Sequence, residues 1–155
     1  MTTPYEAVKE YVTTSEWGFE ENEENKVLSM TINGKNSQFR CYIMINEDDN
    51  LLQCITVYPT KAQDNQMQVL TELICRANSG MQIGKFEVDF SDREIRFFAS
   101  SSFMPGVLPE EVINKVFCVG FVTADRYYPT FMKVMFGNTS PEDAIIEIEG
   151  ISEEE

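Results

Sequence analysis

Apolar and polar residues alternate along this chain with two distinct periods. Tyr5, Val8, Tyr11 and Val12 share one face at helical spacing. Ahead of them, Thr3-Pro4-Tyr5-Glu6 supplies a capping residue, a proline suited to the first turn and a glutamate able to reach back. Trp17-Gly18-Phe19 closes this predicted helix, and the EENEEN that follows has no apolar period, so a solvated loop is expected there. Three runs of period two come next. Leu28, Met30 and Ile32 alternate with Val27, Ser29 and Thr31 up to an Asn33-Gly34 turn. Phe39, Cys41, Ile43 and Ile45 share one face of the second run, with Arg40, Tyr42 and Met44 on the other. An acidic NEDDN turn leads to LLQCITVYP, which Pro59 ends, and the three runs together predict an antiparallel meander.

Helical period returns with Met67, Leu70, Leu73, Ile74 and Ala77, and Asn78-Ser79-Gly80 stops it. In NSGMQIGKFEVDFSDREIRFF, Gly84, Phe86 and Val88 oppose Lys85, Glu87 and Asp89; after a Ser91-Asp92 turn, Ile95, Phe97 and Ala99 oppose Glu94, Arg96 and Phe98. This is a hairpin with one buried face and outer charges placed to pair across it. Pro109-Glu110-Glu111 opens a last long helix through Val112, Ile113, Val116, Phe117 and Phe121. Pro129 is expected to kink or break it and Gly137 to stop it. Ser140-Pro141-Glu142-Asp143 starts a short helix over AIIEIE, and a disordered SEEE tail is expected after it. The predicted order is α-β-β-β-α-β-β-α, a single α+β domain whose five-stranded antiparallel sheet carries its helices on one face. Residues 1–137 form the domain, and residues 138–155 the short helix and acidic tail.

Composition narrows the chemistry. A chain of 155 residues with 43% hydrophobic content builds a core without needing a metal or disulfides. Net charge is −14, which disfavours nucleic acid and anionic membrane as partners. The excess sits at the ends: residues 1–50 hold 10 acids and 4 bases, residues 134–155 hold 7 acids and no base, and the stretch between has 9 acids against 8 bases. There is no histidine, which removes Ser-His-Asp and Cys-His pairs, imidazole bases and His-ligated metals. Cys41, Cys54, Cys75 and Cys118 lack C-x-x-C spacing and fall in apolar runs, so four reduced core thiols are expected. No basic-then-apolar leader opens the chain and no apolar run reaches the ~20 residues of a membrane helix, so a cytoplasmic location without membrane insertion is expected.

Candidate catalytic arrangements fail one by one. A phosphatase-like cysteine wants an arginine six residues on, where this chain has Glu47, Thr60, Met81 and Ala124. NEDDN lacks the alternating ligands and central glycine of a calcium loop. Gly80 and Gly84 form no phosphate-cradling G-x-G-x-x-G. Glu87 and Asp89 sit at alternate strand positions on a solvated face, although they could be read as paired carboxylates of an enzyme. No cofactor or metal is expected. What stands out instead is DRYYPTFMKVMF, where Tyr127, Tyr128, Phe131, Met132, Val134, Met135 and Phe136 surround Pro129. One helix cannot easily turn all of them to one sheet, so Tyr127, Tyr128, Phe131 and Met135 are candidates for a protein-contact surface. Tyr42, Met44 and Phe98 on the outer sheet face are a second group of contact candidates.

The hairpin residues Asn78, Gly84, Phe86, Asp89, Ile95 and Arg96, followed by Asp125, Tyr127, Tyr128 and Pro129, resemble the YbjN family, small bacterial proteins described as regulators of sensory transduction. The resemblance spans residues 3 to about 137, and the acidic extension from about 138 is not part of it. It implies a fold like that of type III secretion chaperones and a non-enzymatic module that binds proteins, with a homodimer as one form. The residues themselves leave a second function open, a sensor that holds a small molecule between the sheet and the last helix.

Overall fold

The computed structural model describes the backbone of residues 2–154 and the side chains of residues 2–150; Glu155 and the acidic side chains before it in the tail lie outside the described residues. Helix α1 is Pro4–Thr14, strands β1 to β4 are Glu20–Asn22, Val27–Asn33, Gln38–Asn46 and Leu51–Val57, and α2 is Met67–Asn78. Strands β5 and β6 are Gly84–Val88 and Ile95–Ser102, followed by α3, Glu110–Phe136, and α4, Pro141–Glu154. Among the described residues the strands form one antiparallel sheet of six in the order β1-β2-β3-β4-β6-β5.

Local sequence accounts for most boundaries. The Thr3 hydroxyl oxygen accepts a hydrogen bond from the Glu6 amide at 3.1 Å while the Glu6 carboxylate accepts one from the Thr3 amide at 3.2 Å, completing the capping box on α1. Trp17 then packs 4.9 Å from the Phe117 ring, anchoring the chain after the helix. At the end of α2, Asn78 does more than stop a helix. Its side-chain amide donates to the Phe86 carbonyl at 3.0 Å and its oxygen accepts from the Phe86 amide at 2.7 Å. The Asn78 side chain thereby pairs with the open edge of β5 as a neighbouring strand would, which satisfies part of an otherwise bare edge.

The sheet has six strands and not five. Glu20–Asn22 pairs antiparallel with Val27–Asn33 instead of remaining in a loop. Its residues are all exposed, so no apolar alternation announces it. Backbone pairing and charge hold it: Lys9 meets Glu21 at 3.0 Å, Arg40 approaches Glu20 at 3.6 Å, and the Tyr5 hydroxyl donates to Glu21. Two further expectations change. Cys41 and Cys54 are buried, but Cys75 and Cys118 are exposed on helix surfaces, so the four thiols are not all in the core. The C-terminal helix runs to Glu154 and docks on the domain, with Ala144, Ile145 and Ile148 buried as it packs on α2 and α3.

Pro129 does not break α3, which is continuous over Glu110–Phe136. A proline lacks the amide that would bond the carbonyl four residues earlier, here Asp125. The Asn36 side-chain amide takes that place, donating to the Asp125 carbonyl at 2.9 Å. The lost helix bond is replaced from the β2–β3 turn.

Inner-face residues alternate strictly: Leu28, Met30 and Ile32 on β2, Phe39, Cys41, Ile43 and Ile45 on β3, and Ile95, Phe97 and Ala99 on β6 are all buried. Helix α3 crosses this face over β4 and β6 and is flanked by α1, α2 and α4. Gly120 permits the close approach, since a side chain there would stand 3.3 Å from the Cys54 sulfur. The Phe131 ring lies 4.7 Å from Phe86 and 5.2 Å from Tyr58, at the centre of an aromatic cluster.

Candidate functional site

The candidate contact residues near Pro129 are placed differently from the sequence expectation. Tyr127, Phe131 and Met135 are buried, with Phe131 at 0% exposure, and Tyr128 is half-buried. Helix α3 has neighbours on several sides, so residues that overload a single face find the sheet, α2 and α4 around them. Tyr127 packs 5.5 Å from Phe86, and the Tyr128 hydroxyl lies 3.0 Å from that of Thr60. In this segment only Phe136, at 56%, is a largely exposed aromatic. These residues consolidate the core and leave no free surface at Phe131.

Asp125, just upstream, has a distinct task. Its two carboxylate oxygens accept the backbone amides of Lys35 and Asn36, each at 2.9 Å, while Asn36 bonds its carbonyl. A buried carboxylate is costly unless its lone pairs are filled, and here two amides fill them. Gly34 is required by the same contact: a β-carbon there would sit 2.5 Å from the Asp125 carboxylate. The first turn of the meander is thus fastened to the middle of α3. Tyr58 adds a second tie, its buried hydroxyl donating to the Ala124 carbonyl at 2.7 Å; burial pushes that hydroxyl well above its ordinary pKa, so it stays a donor.

The outer sheet face presents the other group. Tyr42, Ile55 and Phe98 are register partners across β3, β4 and β6, so their side chains form one row. Each is half-buried, as are Met44 and Val57 in the rows beside it. The helices pack over the opposite face. Cations bracket the row: the Arg40 guanidinium stands 5.7 Å from the Tyr42 ring centre, and the Lys85 ammonium 5.6 Å from that of Phe98. Arg96, in the row with Arg40 and Val57, is held by Asp89 at 2.7 Å; Glu94 lies 3.2 Å from its Nε, near enough to pair by charge but not aligned for a hydrogen bond. The pairing expected across the hairpin is therefore made between Arg96 and Asp89, whereas Glu94 stands on the same arm as Arg96 and Glu87 turns along its own strand to Lys85 at 2.7 Å. Tyr42, Met44 and Phe98 share this face as the alternation predicts, and Ile55, between Tyr42 and Phe98, has the same outward phase in LLQCITVYP.

Two buried thiols and one fixed carboxylate show how titratable groups are held here. Burial pushes the Cys41 thiol up to about 11 and that of Cys54 further, so neither is a thiolate at neutral pH. Asp89 is held down to about 2, chiefly by the Ser91 hydroxyl, then by the Ser91 amide and Arg96, which suits a fixed structural anion better than a proton carrier. Among the described residues no three Cys, Asp or Glu side chains are grouped as a metal would require, and no helix is long and apolar enough to cross a membrane.

A single α+β domain with one helix-covered and one open sheet face, fastened by Asn78, Asp89–Arg96 and Asp125, is thus the class that fold and site define. The chain belongs to the YbjN family, whose model, described as "Putative bacterial sensory transduction regulator", matches residues 4–133. A similar solved structure is the crystal structure of YbjN from E. coli, described as "a putative transcription regulator". It shares 16% identity with this chain at a TM-score of 0.54, covering 84% of this chain and 88% of the other. No curated protein matches the chain. The match supports the fold, and helix α4 begins after the end of the family match.

Proposed function

We propose that this protein is a non-enzymatic, chaperone-like regulatory module of bacterial signalling or stress control that acts by protein contact through its outer sheet face. The observation that carries this reading is the Tyr42–Ile55–Phe98 row, an apolar line left uncovered on one side of the sheet. Its partner is a protein segment with apolar and acidic side chains. Apolar groups would cover the row and carboxylates would meet Arg40 and Lys85, which lie over its end rings. Both cations already meet acids of this chain, Arg40 with Glu20 at 3.6 Å and Lys85 with Glu87 at 2.7 Å, so a partner carboxylate would take the place of these exposed pairs. Family membership supports a regulatory role.

The test is a cross-linked pull-down from native lysate, comparing wild type with a folded Tyr42→Ser, Phe98→Ser variant. Proteins captured by wild type should be lost by the variant and should diminish at high salt. Equal capture by both contradicts the reading. A wild-type dimer that becomes a monomer in the variant would instead assign the face to a second copy of this chain.

A further inference from the structure

The helical side of the molecule holds a cleft that the sheet-face reading does not use. It lies between the β2–β3 turn, the middle of α3 and α4, with a volume of about 790 Å³. That is within the ~300–1,000 Å³ typical of small-molecule sites. Phe121, Val122, Pro129, Ala144 and Ile148 give it an apolar lining, and Val122 is 58% exposed despite being aliphatic. Lys35, Arg126 and Lys133 contribute cations to the same lining.

The acids in the cleft are already engaged. Asp125 accepts the two turn amides, and Glu147 is paired with Lys133 at 2.6 Å. Arg126 donates one hydrogen bond to the Ile148 carbonyl at 3.2 Å, which leaves other N–H groups of its fork to give. Among the described residues the Lys35 ammonium has no side-chain partner. Two cations with spare donors therefore stand beside an apolar lining, on a chain whose overall charge is −14. A molecule with one acidic head and an apolar body matches both parts, whereas a purely polar anion would leave the apolar wall exposed to water. The wall supplied by Ala144, Glu147 and Ile148 lies beyond the family match, which ends at residue 133, so the complete cleft depends on this chain's own C-terminal helix.

We propose that this cleft binds a small anionic amphiphile, its acidic head at Lys35 and Arg126 and its apolar body against Val122, Pro129 and Ile148. The site is separate from the sheet face and does not depend on it. Isothermal titration of the full chain with decanoate, beside decan-1-ol as the uncharged counterpart, tests it. Decanoate should bind saturably at one site and more tightly than the alcohol. Val122→Trp, which fills the cleft from an exposed helix position, should weaken binding at least about tenfold. Lys35→Glu should weaken it by about fivefold, and Tyr42→Ser on the sheet face should leave it unchanged. Absence of saturable binding overturns the proposal, as does equal binding of acid and alcohol or an equal loss in Tyr42→Ser. Affinity unchanged in both cleft variants also overturns it. Should Val122→Trp fail to fold, Lys35→Glu, at an exposed turn residue, decides alone.

Discussion

The two faces of the sheet carry aromatic residues in very different company. On the inner face, Phe39, Phe86 and Phe97 are 1% exposed and meet other rings from β-strands and α3. On the outer face, Tyr42 and Phe98 are half-buried, and the charged neighbours over their rings are Arg40 and Lys85. An aromatic locked among rings on a helix-covered face contributes to stability, with each ring pair adding roughly 0.5–1.5 kcal/mol beyond its burial. An aromatic held only by a cation and a cross-strand neighbour adds less to the fold and remains available to a partner. Residue type alone does not separate these roles. What separates them is which side of the sheet the helices cover.

The largest effect that could break this comparison lies on the inner face. Phe131→Ala removes a fully buried ring from the aromatic cluster and should cost about 3–5 kcal/mol, read as a lower urea midpoint. A cost below about 1 kcal/mol would mean that α3 does not seal the core there.

Next comes the fastening of the meander to α3. Asp125→Ala strips partners from the Lys35 and Asn36 amides and should cost about 2 kcal/mol. Gly34→Ala pushes a methyl into the same carboxylate and should cost about 1–3 kcal/mol. Because the two share one contact, the double variant should cost clearly less than the sum, and strict additivity in denaturant unfolding would show that they are not coupled.

Sequence period shows most of this architecture, and the misses have physical reasons. The capping box at Thr3–Glu6, the stripe from Met67 to Ala77 and the outward phase of Tyr42, Met44 and Phe98 are all legible, because each is a local pattern. Strand β1 is not, since Glu20, Glu21 and Asn22 bury nothing and are held by an edge and by ion pairs from Lys9 and Arg40. Pro129 reads locally as a break, yet Asn36, distant in sequence, supplies the donor that its ring lacks. Tyr127, Phe131 and Met135 read as a surplus because the packing of α2 and α4 around α3 is a tertiary fact that helical period does not contain. The same limit hid the task of Asp125. Its residue type suggests a surface charge, and only the position of the turn shows a buried acceptor.

On the outer face the expected stability effects are small. Tyr42→Ser and Phe98→Ser should each cost about 1 kcal/mol or less in denaturant unfolding, in keeping with cross-strand pairs on an open face. A cost equal to that of Phe131→Ala would place these rings in the core and remove the distinction. The finest test uses acid. Asp89 has a folded pKa lowered from 3.8 to about 2, so its contribution to stability is present above the unfolded value and is lost as pH falls through the folded one. Asp89→Asn should therefore remove part of the stability loss between about pH 4 and pH 2, measured by thermal unfolding across that window.

The central claim is that the uncovered sheet face makes the contact. A photo-cross-linking residue at position 55, between Tyr42 and Phe98, can be compared with one at the exposed Phe90 in the hairpin turn. Covalent adducts should form from position 55, fail to form from position 90, and disappear when Phe98→Ser is added. Adducts from position 90 alone, or from position 55 undiminished by Phe98→Ser, would contradict the account.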